Sequence, residues 1–162
     1  MSLINHRRRS ARWHGASQKV RQSAAPLFLD RIDIQCEISP VPFQDISKAA
    51  PGEPSAKIRE RVIKAREVQA ERFNDYKGIH CNAQMTERMI HQFAEPDEQG
   101  IKLLRMAMEK LSLSARAYNR ILKVARTIAD LAGSEQIKPD HIAEAVGYRT
   151  LDRGDWAERG HL

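Results

Sequence analysis

Residues 114–133 read SARAYNRILKVARTIADLAG. Ala117, Ile121, Ala125, Ile128 and Ala132 recur three or four apart, which is the spacing of one face of an α-helix. Ser114 is placed to cap the start and Gly133 to end it. Arg116, Arg120, Lys123 and Arg126 fall toward the other side, the last three as a solvated face or part of a subunit interface. The arginine in the first turn is the odd feature. The helix dipole is already positive there, so a stability argument would place acids at that end. An anion bound at the N-terminus turns that cost into an advantage. The small residues Ala115, Ala117, Ala125, Ala129 and Ala132 admit close neighbours, so this is expected to be the central helix of a bundle.

Helices are predicted on both sides of it. Upstream, one spans about 56–76, capped by Ser55 and stopped by Gly78, with Ile58, Val62, Ala65, Phe73 and Tyr76 inward. A second covers about 83–94, with Met85, Met89, Ile90 and Phe93 on one side. A third covers about 97–111 beyond Pro96, with Ile101, Leu104, Met108 and Leu111 inward and Asp97 and Glu98 at its positive end. Downstream, a last helix opens at Pro139 and runs to about 149, burying Ile142, Ala145 and Val146. Further upstream, IDIQCEI (32–38) alternates apolar and polar residues and predicts a strand, ended by Pro40 and Pro42. KAAPGEPSA (48–56) is composed as a linker. The domain reading is therefore a basic tail without stable packing at 1–25, a segment with the strand at 26–45, a linker at 46–55, a helical domain at 56–151 and a second tail at 152–162.

Composition agrees with a mainly α protein: aromatics are 6% and charged residues 30%, a balance that suits a helical module better than a β-sandwich. The net charge of +6 is local. Arg7, Arg8, Arg9, Arg12, Lys19 and Arg21 stand in residues 1–21 without an acid, and removing these six from 27 leaves 21 Lys and Arg against 21 Asp and Glu. Residues 22–162 are formally neutral, so any attraction to nucleic-acid phosphates is concentrated in the tail. No apolar run reaches the length of a membrane span, and no membrane partner is expected. Cys36 and Cys81 form no CxxC pair; they are expected to stay reduced in a cytoplasm. His80, Cys81 and His91 have neither the number nor the spacing of a zinc site, so no metal site is expected. The methionines at helical spacing read as core filling.

The segment SARAYNRILKVARTIADLAGSEQIKPDHIAEAVGYR and, before the linker, PLFLDRIDIQCEI together resemble the C-terminal part of magnesium-chelatase-like AAA+ ATPases of the YifB/ComM type. The resemblance covers roughly residues 26–151. It implies a helical lid preceded by the last strand of a nucleotide-binding core. No GxxxxGK[ST] motif occurs in the chain, and no acidic Walker-B strand. Alone it is expected to hydrolyse nothing; ATP and Mg2+ would belong to a parent protein. The resemblance also implies roles for two arginines. Arg31, in LDRID, takes the arginine-finger position, reaching the γ-phosphate held by a neighbouring subunit. A permanently charged planar guanidinium suits that task. Arg116, in SAR, takes the sensor-2 position, reaching the γ-phosphate in the same subunit. The implied partners are the ATPase core, neighbouring subunits of a hexameric ring, and DNA, because ComM-type members act on DNA as branch-migration motors. Two departures stand out: QSAAPLFLDRIDI has one residue more before the Leu-Asp-Arg than the family pattern, and residues 1–25 do not resemble the family. Two other classes fit the residues alone: a small helical DNA-binding module and a helical protein adaptor.

Overall fold

The computed structural model describes residues 31–36, 38, 41 and 52–149. Expectations for residues 1–25, most of 37–51 and 152–162 lie outside the described residues. Among the described residues five helices follow one another: α1 (Ser55–Arg72), α2 (Glu87–Phe93), α3 (Glu98–Leu111), α4 (Ala115–Leu131) and α5 (Pro139–Gly147), with a 3-10 turn at Asn82–Gln84. The chain divides into two compact units, and the larger, Asp33–Thr150, contains all five helices.

The central helix is α4, which packs against α1, α2, α5 and the 3-10 turn, while α3 packs on α5. Ala117, Ala125 and Ala129 are buried where α4 meets its neighbours, and Ile121 and Leu122 fill the space between. Ala115 and Ala132, counted with them from the sequence, are exposed. Leu104, Ile137 and Ile142 complete the fully buried centre. Phe73, Tyr76 and Phe93 stack edge to face at centroid separations of 5.7–6.4 Å, closing the side of the core where α1 ends.

Local chemistry sets the boundaries. The Ser114 side chain accepts a bond from the Ala117 amide (3.1 Å) and Asp97 one from the Gly100 amide (2.6 Å), so both caps do what their residue types predict. Gly100 is required by packing. A Cβ there would lie 2.9 Å from the Pro96 Cβ and 3.1 Å from the capping carboxylate. After α4, Gly133 adopts φ +65° and the Ser134 amide reaches back to the Ala129 carbonyl (2.8 Å).

Three sequence expectations change. Helix α1 starts at Ser55, so Ser55 is its first residue and Pro54 occupies the cap, with no side-chain bond. The same helix ends at Arg72, because Asn74 and Asp75 lie in a turn before Gly78 at φ +82°. Helix α2 is shorter than expected, beginning after Thr86, whose hydroxyl caps it. Its intended first turn is a 3-10 turn because Asn82 is drawn inward, 1% exposed.

The strand expected at 32–38 is corrected too. None of its described residues, 32–36 and 38, is in a strand. Ile34 is 52% and Ile38 90% exposed, so the alternation does not mark a buried face. The Gln35 amide bonds the carbonyl of Tyr148, the residue that caps the end of α5, at 3.0 Å. A strand needs a ladder partner, and the neighbour here is the end of a helix. The nearest approach to sheet among the described residues is a single parallel bridge, Pro96 with Ile137.

Candidate functional site

The first turn of α4 presents Arg116. It is exposed, it follows the Ser114 cap by two residues, and the turn contains no acidic residue. Backbone amides at this end carry the positive end of the dipole, and the guanidinium adds a permanent charge with five N–H donors. Such an arrangement attracts an anion and discourages a cation.

One turn on, Arg120 is turned against the upstream segment. Its guanidinium pairs with Asp33, the side chains being 25% and 47% exposed. Lys123 bends toward the 3-10 turn and donates to the Ala83 carbonyl (2.9 Å). Partial burial lowers its pKa below the ordinary lysine value; Arg120 acts in the same direction and Asp33 opposes it. Arg120 and Lys123 thus bind elements of this chain, and Arg116 is the cation of α4's basic row placed in the opening turn.

Arg126 does not belong to that row. The sequence grouped it with the solvated or interface cations, but it is 4% exposed. Three residues on from Lys123 it has rotated by about 60° net toward the core. Its guanidinium lies along the last turns of α4. It donates to Asp130 Oδ1 (3.1 Å) and to the carbonyls of Ser134 (2.6 Å) and Glu135 (2.7 Å), which the turn at Gly133 brings round. Asp130 in turn takes both terminal nitrogens of Arg72 (2.6 and 2.7 Å) and the Asn82 amide (2.7 Å). The Asn82 side chain also accepts from Arg72 (2.8 Å), and its backbone amide donates to the Gln69 side chain (3.2 Å). Burial works to raise the Asp130 pKa. The hydrogen bonds from Arg72 and Asn82 and the charge of Arg126 outweigh it, so the carboxyl titrates below its ordinary range. Burial likewise lowers the Arg126 pKa, with Asp130 opposing and Arg72 adding to the fall. This cluster fastens the end of α1 and the 3-10 turn to α4. The pairing of Arg126 with Asp130 could be read from their i,i+4 spacing, whereas Arg72 lies 58 residues from Asp130 and carries no local sign of the contact.

Arg31 is exposed and lies in a turn two residues before Asp33. Among the described residues no three His, Cys, Asp or Glu side chains come together as a metal site.

A helical module built on a central helix with an arginine at its exposed N-terminus defines the class, and comparison with known proteins places it. Residues 52–149 match the family model "Magnesium chelatase, subunit ChlI C-terminal", and the chain belongs to that family. It is 42% identical over 127 residues to the competence protein ComM of Haemophilus influenzae, and equally to YifB of Escherichia coli. In both cases 78% of this chain is covered against 24% of the relative. An uncharacterized protein of Mycobacterium bovis is 33% identical over 122 residues, 75% of this chain and 24% of its own length. The chain thus spans about a quarter of the relatives it matches. No described helix is long and apolar enough to cross a membrane.

Proposed function

We propose that this chain is the lid of a magnesium-chelatase-like AAA+ ATPase and works as its nucleotide sensor. The observation that carries the reading is Arg116, an exposed arginine in the first turn of the central helix, beside the amides at the helix's positive end. ATP would supply a γ-phosphate whose charge spreads as the phosphoryl group transfers. Arg116 would hold that phosphate from the lid's own subunit. Arg31 would approach the phosphate of a neighbouring subunit in a ring. Magnesium would be held by residues of the core. The position of the lid then depends on whether the phosphate is present, because binding moves the lid only through contacts that differ between the two states.

The substrate proposed for the motor is DNA, and the support is the likeness to a competence protein. The reading as a free-standing DNA-binding module has less in its favour. Its basic row on α4 is partly turned inward, with Arg120 and Lys123 bound to this chain and Arg126 buried.

The test is a graft. Residues 26–151 replace the matching segment of the Haemophilus influenzae relative, and ATP hydrolysis is measured with and without Arg116→Ala. The grafted protein should turn over ATP. The substitution should lower kcat about a hundredfold, the scale of removing one stabilising donor from a transferring charge. Thermal unfolding of the lid should be unchanged, as is usual for exposed positions. If kcat is kept in the variant, Arg116 is not the sensor.

A further inference from the structure

The sequence places a proline-rich linker at 46–55, the natural position for a hinge between the Arg31 segment and the helices. The structure argues for another place. Two contacts, two residues apart in the chain, bind residues 33–36 to two different helices. Asp33 pairs with Arg120 on α4, and the Gln35 amide bonds Tyr148 at the end of α5. Asp33 also lies in the field of Lys123 on the same face of α4. Gln35 is half-buried, whereas Ile34 and Cys36 on either side of it are exposed. The compact unit that contains the helices begins at Asp33. The stretch between residue 36 and α1 therefore starts and finishes on one body. A connection tied to the same body at both ends cannot be the hinge between two bodies.

We propose that Arg120 is a positioning residue that sets the pivot of the lid at residues 31–33, by holding Asp33 to α4. Arg31 is then the first residue of the pivot and Arg116 lies beyond it along the chain. The functional meaning rests on the phosphate roles proposed above. A lid displaced by phosphate at Arg116 turns about a point two residues from Arg31, a lever of about 7 Å at most. A hinge at 46–55 would leave at least fourteen residues between Arg31 and the moving body.

The experiment is amide hydrogen exchange on the whole 162-residue chain without nucleotide, comparing Asp33→Ala, Arg120→Ala, the double alanine variant and the charge-swapped pair Asp33→Lys with Arg120→Glu. Each single alanine should speed exchange at Gln35 about threefold, the scale of losing a partly exposed ion pair. The double variant should add nothing to either single, as expected when both remove one interaction. The swapped pair should restore slow exchange, which a purely steric role for either side chain would not do. Unchanged exchange at Gln35 in both singles, multiplying effects in the double, or no recovery in the swapped pair would each overturn the proposal. Core amides of α4 serve as the control. If Arg120→Ala speeds them too, Asp33→Ala, whose side chain is 47% exposed, decides the outcome. Because no nucleotide is present, a failed sensor role for Arg116 leaves this result untouched, and a failed pivot leaves the graft experiment to stand.

Discussion

At the scale of single residues, the chain contains two kinds of arginine that look alike in sequence. Arg116 and Arg126 both lie on α4 among aliphatic residues, yet one is exposed and the other is 4% exposed. The difference is chemical. Arg126 has a carboxylate one turn away and carbonyls beyond Gly133, enough acceptors to be buried as a charge. Arg116 stands in the opening turn, where the backbone groups it neighbours are amide donors and its side chain stays exposed. The buried cluster should make the protein acid-labile in a defined way. The folded-state pKa of Asp130 lies below its unfolded value, so its stabilising contribution is complete above about pH 4 and is lost as pH falls through the folded value. Asp130→Asn should therefore lower stability at pH 7 by about 3 kcal/mol, the lower end for breaking a buried pair. It should also flatten the fall in stability below about pH 5. Urea titrations across that range measure both. A variant with the parent's acid slope would show that other carboxylates carry it.

At the scale of elements, much of the fold was legible because its signals are local. Ser114, Asp97 and Gly133 act at the ends of their own helices, and α3, α4 and α5 lie close to where those residues put them. Helix α1 shows what periodicity leaves open. Ile58 and Val62 lie on the same stripe as Ala65 and Gln69, as the spacing predicts, yet they are each 41% exposed while the latter two are buried. A helical pattern says which side faces inward, but not where along the axis the neighbouring helix stops. The strand failed for a related reason: alternation describes one chain, and a ladder needs a second. The two halves of the stripe on α1 should respond differently. Ile58→Ser together with Val62→Ser should change stability by less than about 1 kcal/mol, as two exposed positions do. Leu104→Ala on α3, 2% exposed, should cost about 2–5 kcal/mol. Denaturant midpoints of the two variants test this directly; a large loss from the serine pair would mean that something covers the N-terminal half of α1.

At the scale of the whole molecule, the family match begins at residue 52, whereas the compact unit begins at Asp33. The residues between them hold the contacts to Arg120 and Tyr148, so they should contribute to the stability of the helices. Arg149, at the other end, is 1% exposed, which sets the downstream limit of the unit at about residue 150. A protein of residues 33–150 is long enough to bury its own core. It should unfold in one cooperative transition with a midpoint within about 2 °C of the whole chain. A protein of residues 52–150 keeps the five described helices but loses the ion pair at Asp33 and the backbone bond from Gln35. Those two contacts together are worth about 1 kcal/mol. For a domain of this size that corresponds to a fall of roughly 4–8 °C. Calorimetry on the three proteins separates the cases. If 52–150 melts with 33–150, the upstream segment merely rests on the helices, and neither Asp33 nor Gln35 fixes where the lid begins.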